Sequence, residues 1–161
     1  ARDWIAPADL IAAALKRTAP LTANLTLHRE VEADLPLLFV HPALIEQALV
    51  NLIENAAKFS PPGGEITLAA RAEADRIVVE VSDQGPGIPE DQREKVFDMF
   101  FTGGDGDRGP YGSGLGLAIC RGMIGAHGGT IEALPPANGS GAHIVITLPL
   151  MEQQPDGPNH V

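Results

Sequence analysis

The chain has one cysteine, Cys120, in 161 residues. A lone thiol excludes an internal disulfide framework and fits a reducing compartment. Basic residues are scarce too: Lys+Arg 11 against Asp+Glu 21 gives a net charge of −10. Without a basic run, a phosphate-backbone grip on nucleic acid is disfavoured, and no nucleic-acid partner is expected. No apolar run approaches the ~20 residues that span a bilayer. Ala1 to Ala14 carries Arg2, Asp3, Pro7 and Asp9, so it is no signal peptide. No internal repeat is present, and neither is the G-x-x-x-x-G-K-[ST] phosphate loop. The chain opens without Met and reads as a piece of something longer.

What is there suits a packed core: 44% hydrophobic and 20% charged residues. The length points to one domain, residues 1–150, followed by a polar, Pro-containing tail, 151–161, expected to be disordered. Pro7 to Arg17 reads as a helix with Leu10, Ile11, Ala14 and Leu15 on one face. Leu25 to Val31 and Leu37 to Val40 read as strands. Pro42 opens a long helix at its first position, which Pro61-Pro62-Gly63-Gly64 ends. Glu65 to Arg71 and Arg76 to Ser82 alternate as a hairpin around Glu73-Ala74-Asp75. A short helix is expected from Asp91 to about Phe97. A longer one runs from Leu115 to His127, closed by Gly128-Gly129. Thr130 to Leu134 and Ala142 to Leu148 form a last hairpin. The pattern predicts a two-layer α/β sandwich: a mixed, mostly antiparallel sheet of about five strands with three helices on one face.

Three stretches carry chemistry. On the long helix, Leu44, Ile45, Ala48, Leu49, Leu52, Ile53 and Ala56 fill an apolar arc. Asn51, Asn55 and Lys58 form a second row on its rim. Asn is a poor helix former, so two of them a turn apart need a reason. An amide oxygen suits Mg²⁺ and a Lys suits phosphate, although a hydrated helix face would show the same pattern. Asp83-Gln84-Gly85-Pro86-Gly87-Ile88-Pro89 follows directly on a strand. Its carboxylate could accept from an exocyclic amine, and its glycines could let a flat ligand approach, or the stretch is a plain Gly-Pro turn. Thr102 to Gly114 has six glycines in thirteen residues and leads into Gly112-Ser113-Gly114-Leu115-Gly116-Leu117 and a helix. Bared N–H groups at a helix start make an anion site, and a lid over phosphates fits. The dinucleotide fingerprint G-x-G-x-x-G is disfavoured, because this cluster reads G-x-G-x-G and no strand precedes it.

In this order and spacing, the Asn51/Asn55/Lys58 helix, Asp83-x-Gly85-x-Gly87, Phe97-x-x-Phe100 and Gly112-x-Gly114-Leu-Gly116-Leu resemble the ATP-binding catalytic domain of sensor histidine kinases. The resemblance covers roughly Leu10 to Leu150 and the superfamily of gyrase, Hsp90, histidine kinases and MutL. It implies ATP and Mg²⁺ as cofactors and the Bergerat ATP-binding fold. By resemblance Asn55 binds Mg²⁺, Asn51 lies near the phosphates, Lys58 contacts phosphate, and Phe59 flanks the nucleotide. Asn51, Asn55 and Lys58 are thereby the catalytic candidates. Asp83 accepts from the adenine amine, with Gly85, Gly87 and Ile88 beside the ring. Phe97 and Phe100 anchor the lid. Gly112, Ser113, Gly114, Leu115, Gly116 and Leu117 underlie the phosphates, and Gly139-Ser140-Gly141 resembles the last glycine box. Wording such as LPLLFVHPALIEQALVNLIENAAKFSPPGG and VFDMFF is similar to the KdpD-type potassium-responsive kinases.

The resemblance implies an ATP:protein-histidine phosphotransferase module. Its partners would be a dimerisation and phosphoacceptor domain of the same protein and a downstream response regulator. The domain itself would be monomeric, and cytoplasmic within a bacterial inner-membrane homodimeric sensor. The rivals are a conformational ATPase and an anti-sigma-type serine kinase. Those relatives place a Glu where this chain has Asn51, and an amide cannot act as general base. One departure is His41, where the family has Asp before the long helix, a poorer N-cap. Cys120 and Met123 read as core, His127 as a helix-end residue, and His28, His143 and His160 are assigned no metal.

Overall fold

In a computed structural model, the protein is described over residues 1–99, 116–136 and 140–155. Two proline-started helices set the frame. α1 (Pro7–Arg17) carries Pro at its start, Asp9 in its first turn, and Lys16 and Arg17 in its last, so its charges match the helix dipole at both ends. α2 (Pro42–Phe59) buries Ile45, Ala48, Leu49, Val50, Leu52, Ile53 and Ala56; of the predicted arc Leu44 is instead exposed, and Val50 is buried in addition. α3 (Gly116–Gly125) buries Leu117, Cys120 and Ile124. It ends before Gly128, whose φ of +74° turns the chain into the sheet.

The main sheet has five strands in the order β2-β4-β5-β7-β6. These are β2 (Thr26–Val31), β4 (Glu65–Glu73), β5 (Arg76–Ser82), β6 (Thr130–Leu134) and β7 (His143–Pro149). Only β2 with β4 is parallel; the other three pairings are antiparallel. Alternation sorts the two faces. Ile66, Leu68, Ile77, Val79, Val81, Ile144, Ile146 and Leu148 join the helices in one core cluster. On the opposite face, Glu80 of β5 accepts from Arg71 of β4 and bonds His143 of β7. This is the expected two-layer α/β arrangement.

Three features differ from the sequence reading. The lead-in residues form β1 (Asp3–Ile5), antiparallel to β3 (Leu38–Val40) in a separate two-stranded sheet. Trp4 stacks on Phe39 there, with ring centroids 5.0 Å apart. Three residues carry too little pattern to announce a strand; pairing makes it one. The helix expected over Asp91–Phe97 is instead two 3₁₀ turns, Glu90–Gln92 and Lys95–Phe97, which seat Val96 and Phe97 in the core. Finally, the Gln154 side chain accepts from the Leu37 N–H and donates to the Leu37 carbonyl, tying residue 154 to the stretch before β3.

Candidate functional site

α2 and the β5 end converge on one narrow cleft. Asn55, Phe59, Asp83, Pro86, Gly87, Ile88 and Ala142 line it, with about 10 Å³ of free volume. Larger hollows exist, about 360 Å³ beside Glu80 and His143 on the outer sheet face and about 450 Å³ between Phe97, Arg121 and Glu132. Volume alone would favour those. The narrow cleft is preferred because a buried carboxylate, an amide and an aromatic ring meet there on rigid elements.

Asp83 is 8% exposed. Its Oδ1 accepts from the Gly85 N–H at 2.8 Å and from the Ala142 N–H at 3.0 Å. The backbone adds a third link, Asp83 N–H to the Ala142 carbonyl at 3.0 Å. Among the described residues Oδ2 has no partner. So the carboxylate is held by one oxygen, and the other is left to accept. Burial raises its pKa above the ordinary Asp range, with the Ala142 and Gly85 amides pulling the other way.

The glycines are required by the protein backbone itself. A Cβ on Gly85 would lie 2.5 Å from the Phe59 carbonyl oxygen, so only glycine lets the turn pack on the end of α2. Gly141 has φ +88°, and its Cβ would meet the Asp83 carbonyl oxygen at 1.8 Å. Gly141 therefore lets β7's lead-in reach Asp83 and deliver the Ala142 N–H. The sequence offered Gly139-Ser140-Gly141 as a glycine box but gave no sign that Ala142 fixes the carboxylate.

The row Asn51, Asn55, Lys58 lies on one helix side, as spacing requires. Asn55 faces the cleft, and among the described residues its amide has no hydrogen-bond partner. Asn51 accepts from Gln47 Nε2 at 2.8 Å and donates to the Gly116 carbonyl at 3.4 Å, joining α2 to the start of α3. Lys58 is exposed, its Nζ 5.3 Å from the Phe59 ring centroid. Gly116 is exposed at the start of α3, whereas Leu117 is buried in the core beneath it. Phe97 is buried, at 3% exposure. Phe100, Gly112, Ser113, Gly114, Leu115 and Gly139 lie outside the described residues, as does the stretch expected to be a lid.

Two groups support the site without entering the cleft. Cys120 donates to the Ala48 carbonyl, and burial pushes its thiol up to about 12, with Asn51 opposing, so it is a packing residue without thiolate reactivity. His127 is 6% exposed; its Nδ1–H donates to the Met123 carbonyl at 2.7 Å, and its Nε2 accepts the His41 N–H at 3.1 Å. It fastens the start of α2 to the end of α3.

Among known proteins, the chain is 37% identical over 148 residues to the sensor protein KdpD of Escherichia coli K12, covering 92% of this chain and 16% of KdpD. It is 40% identical over 130 residues to the adaptive-response sensory kinase SasA of Crocosphaera subtropica, covering 79% of this chain and 33% of SasA. The chain thus spans a third or less of these relatives. The structure of full-length ShkA in complex with AMPPNP superimposes with a TM-score of 0.81 at 26% identity, covering 96% of this chain and 32% of ShkA. A model of histidine kinase-, DNA gyrase B- and HSP90-like ATPases matches residues 40–152, and the chain, with that match and this cleft, belongs to that family.

Proposed function

We propose that this chain is the ATP-binding catalytic module of a sensor histidine kinase, which presents the γ-phosphate of Mg·ATP to a histidine on a separate dimerisation domain. The observation that carries the reading is Asp83. One carboxylate oxygen is occupied by two backbone amides, and the other, without a partner among the described residues, borders a cleft walled by Phe59 and Ile88. That arrangement suits a flat ring bearing an exocyclic amine. ShkA, similar in fold, was solved with an ATP analogue, which supports the same ligand class here.

The roles divide by chemistry. Asp83 accepts from the adenine amine and sets the ring's register. Phe59 and Ile88 exclude water from its faces. Asn55, with its unpartnered amide on the cleft wall, fits Mg²⁺ as a neutral oxygen ligand. Asn51 and Lys58 address the phosphates, and Gly116 begins the helix beneath them. The metal, when bound, would neutralise charge on the phosphate oxygens. The remaining contribution of the protein is positioning, since an imidazole nitrogen is already nucleophilic and needs no base at position 51.

Two finer readings belong with this proposal. A KdpD-type, potassium-responsive sensor is supported by an alignment that reaches across 92% of the chain; the SasA match is higher in identity over a shorter span. A response regulator is the downstream partner; histidine kinase ThkA, 25% identical with a TM-score of 0.78, was solved in complex with one. The full-length protein would be a membrane-bound homodimer with this domain on the cytoplasmic side.

The test supplies the acceptor domain of a sensor kinase relative in trans with γ-labelled Mg·ATP. Acid-labile label on the acceptor histidine, lost in Asn55→Ala, supports the kinase reading. Rapid phosphate release with no labelled acceptor would favour the conformational ATPase.

A further inference from the structure

The amides near the phosphate side of the site are not free to turn. Arg17, in the last turn of α1, donates from Nη1 to Glu46 Oε2 at 2.9 Å and from Nη2 to Gln47 Oε1 at 2.8 Å. A guanidinium carries only donors, so Gln47 must turn its oxygen toward Arg17. Its Nε2 then faces along α2 and donates to Asn51 Oδ1, one turn on, at 2.8 Å. That in turn leaves Asn51 with Nδ2 outward, donating to the Gly116 carbonyl at 3.4 Å. Gln47 and Asn51 are each oriented by the group before them, and the series starts at a guanidinium that cannot reverse.

We propose that Arg17 and Gln47 are positioning residues that fix the polarity of Asn51, so that Asn51 meets the nucleotide as an N–H donor to a phosphate oxygen and leaves metal ligation to Asn55. The inference rests on the nucleotide reading above and deepens it. Two asparagines one turn apart on the same helix face have the same chemistry. What separates them is surroundings. Asn55 has no partner among the described residues and can offer its oxygen. Asn51 has its oxygen engaged by Gln47, and its Nδ2 lies toward the Gly116 carbonyl and the Cys120 thiol, so an N–H is the only group it can turn to a phosphate. Glu46 completes the start of the relay: its carboxylate holds the other arm of Arg17, and the fork geometry sets the plane in which Gln47 is met. Because Gly116 begins α3, the same relay ties the last turn of α1, through α2, to the start of α3.

The decisive variant is Gln47→Glu. It keeps size and shape and still accepts from Arg17, but it has no donor. Its second oxygen would accept from Asn51 Nδ2, turning that amide over and placing Asn51 Oδ1 against the Gly116 carbonyl. Calorimetric affinities for Mg·ATP and for adenosine, which occupies only the Asp83 end, separate positioning from folding. The expected result for Gln47→Glu is a drop in Mg·ATP affinity of about tenfold to a hundredfold, the worth of a hydrogen bond to a charged group, with adenosine affinity unchanged. Arg17→Met frees Gln47 to rotate and should lower Mg·ATP affinity in the same selective way, while Arg17→Lys, which retains a donor, should restore it. Equal losses for adenosine and Mg·ATP, or wild-type Mg·ATP affinity in Gln47→Glu, would overturn the relay while leaving the nucleotide reading in place. A wild-type chain that binds neither compound would overturn both.

Discussion

Asp83 is held against its own chemistry. Burial raises its pKa, so the folded chain binds that proton more tightly than the unfolded one. The stability it contributes is therefore fully present below the ordinary Asp range and is lost as pH rises through the raised folded value. At neutral pH the empty site carries an unfavourable buried charge. Asp83→Asn should then melt higher than wild type in the absence of nucleotide, because an amide oxygen can still accept from Gly85 and Ala142. The same variant presents a donor to a donor at the free position, and Mg·ATP affinity should fall by about 1–3 kcal/mol. Thermal melts beside calorimetry check both signs; a variant that is both less stable and fully able to bind removes Asp83 from the adenine site. On the proposed role of Asp83, Mg·ATP binding needs the ionised acceptor, so affinity should begin to fall on acidification above the usual carboxylate range. A binding curve flat down to that range would contradict the assignment. The candidate residues Asn55, Phe59, Asp83, Gly87 and Ile88 were legible in the sequence because motif order places them. The hold of Ala142 on Asp83 was not, since it depends on an approach between residues 59 apart that a missing Cβ at Gly141 permits.

At the scale of elements, the helices were easier to read than the strands. Pro7 and Pro42 mark helix starts chemically, and the apolar arc of α2 repeats over five turns, so both α1 and the start of α2 fell where expected. β1 was hidden, because a three-residue strand is defined by its partner and not by its own pattern. The α2 start is a weak point. His41 makes no side-chain cap, and its N–H goes instead to His127. Desolvation, then nearby positive charge, lowers the His41 pKa, so stability should fall as pH drops through the ordinary histidine value of 6.5. His41→Asp supplies a capping oxygen next to Arg2 and should stabilise the chain by roughly 1 kcal/mol. His127→Phe removes the acceptor of the His41 N–H and should cost about 1–3 kcal/mol. Denaturant melts measure both, and a destabilised His41→Asp would show that the cap position is already satisfied.

For the molecule as a whole, the proposed function puts nucleotide binding and phosphoacceptance in different places. Four of the five histidines are described, and each has a structural task. His28 bonds Glu65, His143 bridges Glu80 and the Pro135 carbonyl, and His127 and His41 join two helices. His160 lies outside the described residues. None of the four described histidines stands on an exposed helix face followed by an acidic residue and proline. Incubated alone with γ-labelled Mg·ATP, the chain should gain no stoichiometric acid-labile label and, with Asn51 in place of a general base, should release phosphate slowly. Stoichiometric self-labelling would place the acceptor within the chain.

The central claim, that Mg·ATP sits between the end of α2 and the end of β5, is tested most directly by titrating Mg·ATP into ¹⁵N-labelled chain and following backbone amides. Saturable shifts are expected at Asn55, Gly85, Gly87 and Ala142, with Glu80 and His143 on the outer face unmoved. Saturable shifts centred on Glu80 and His143, or no saturation at millimolar nucleotide, would contradict it.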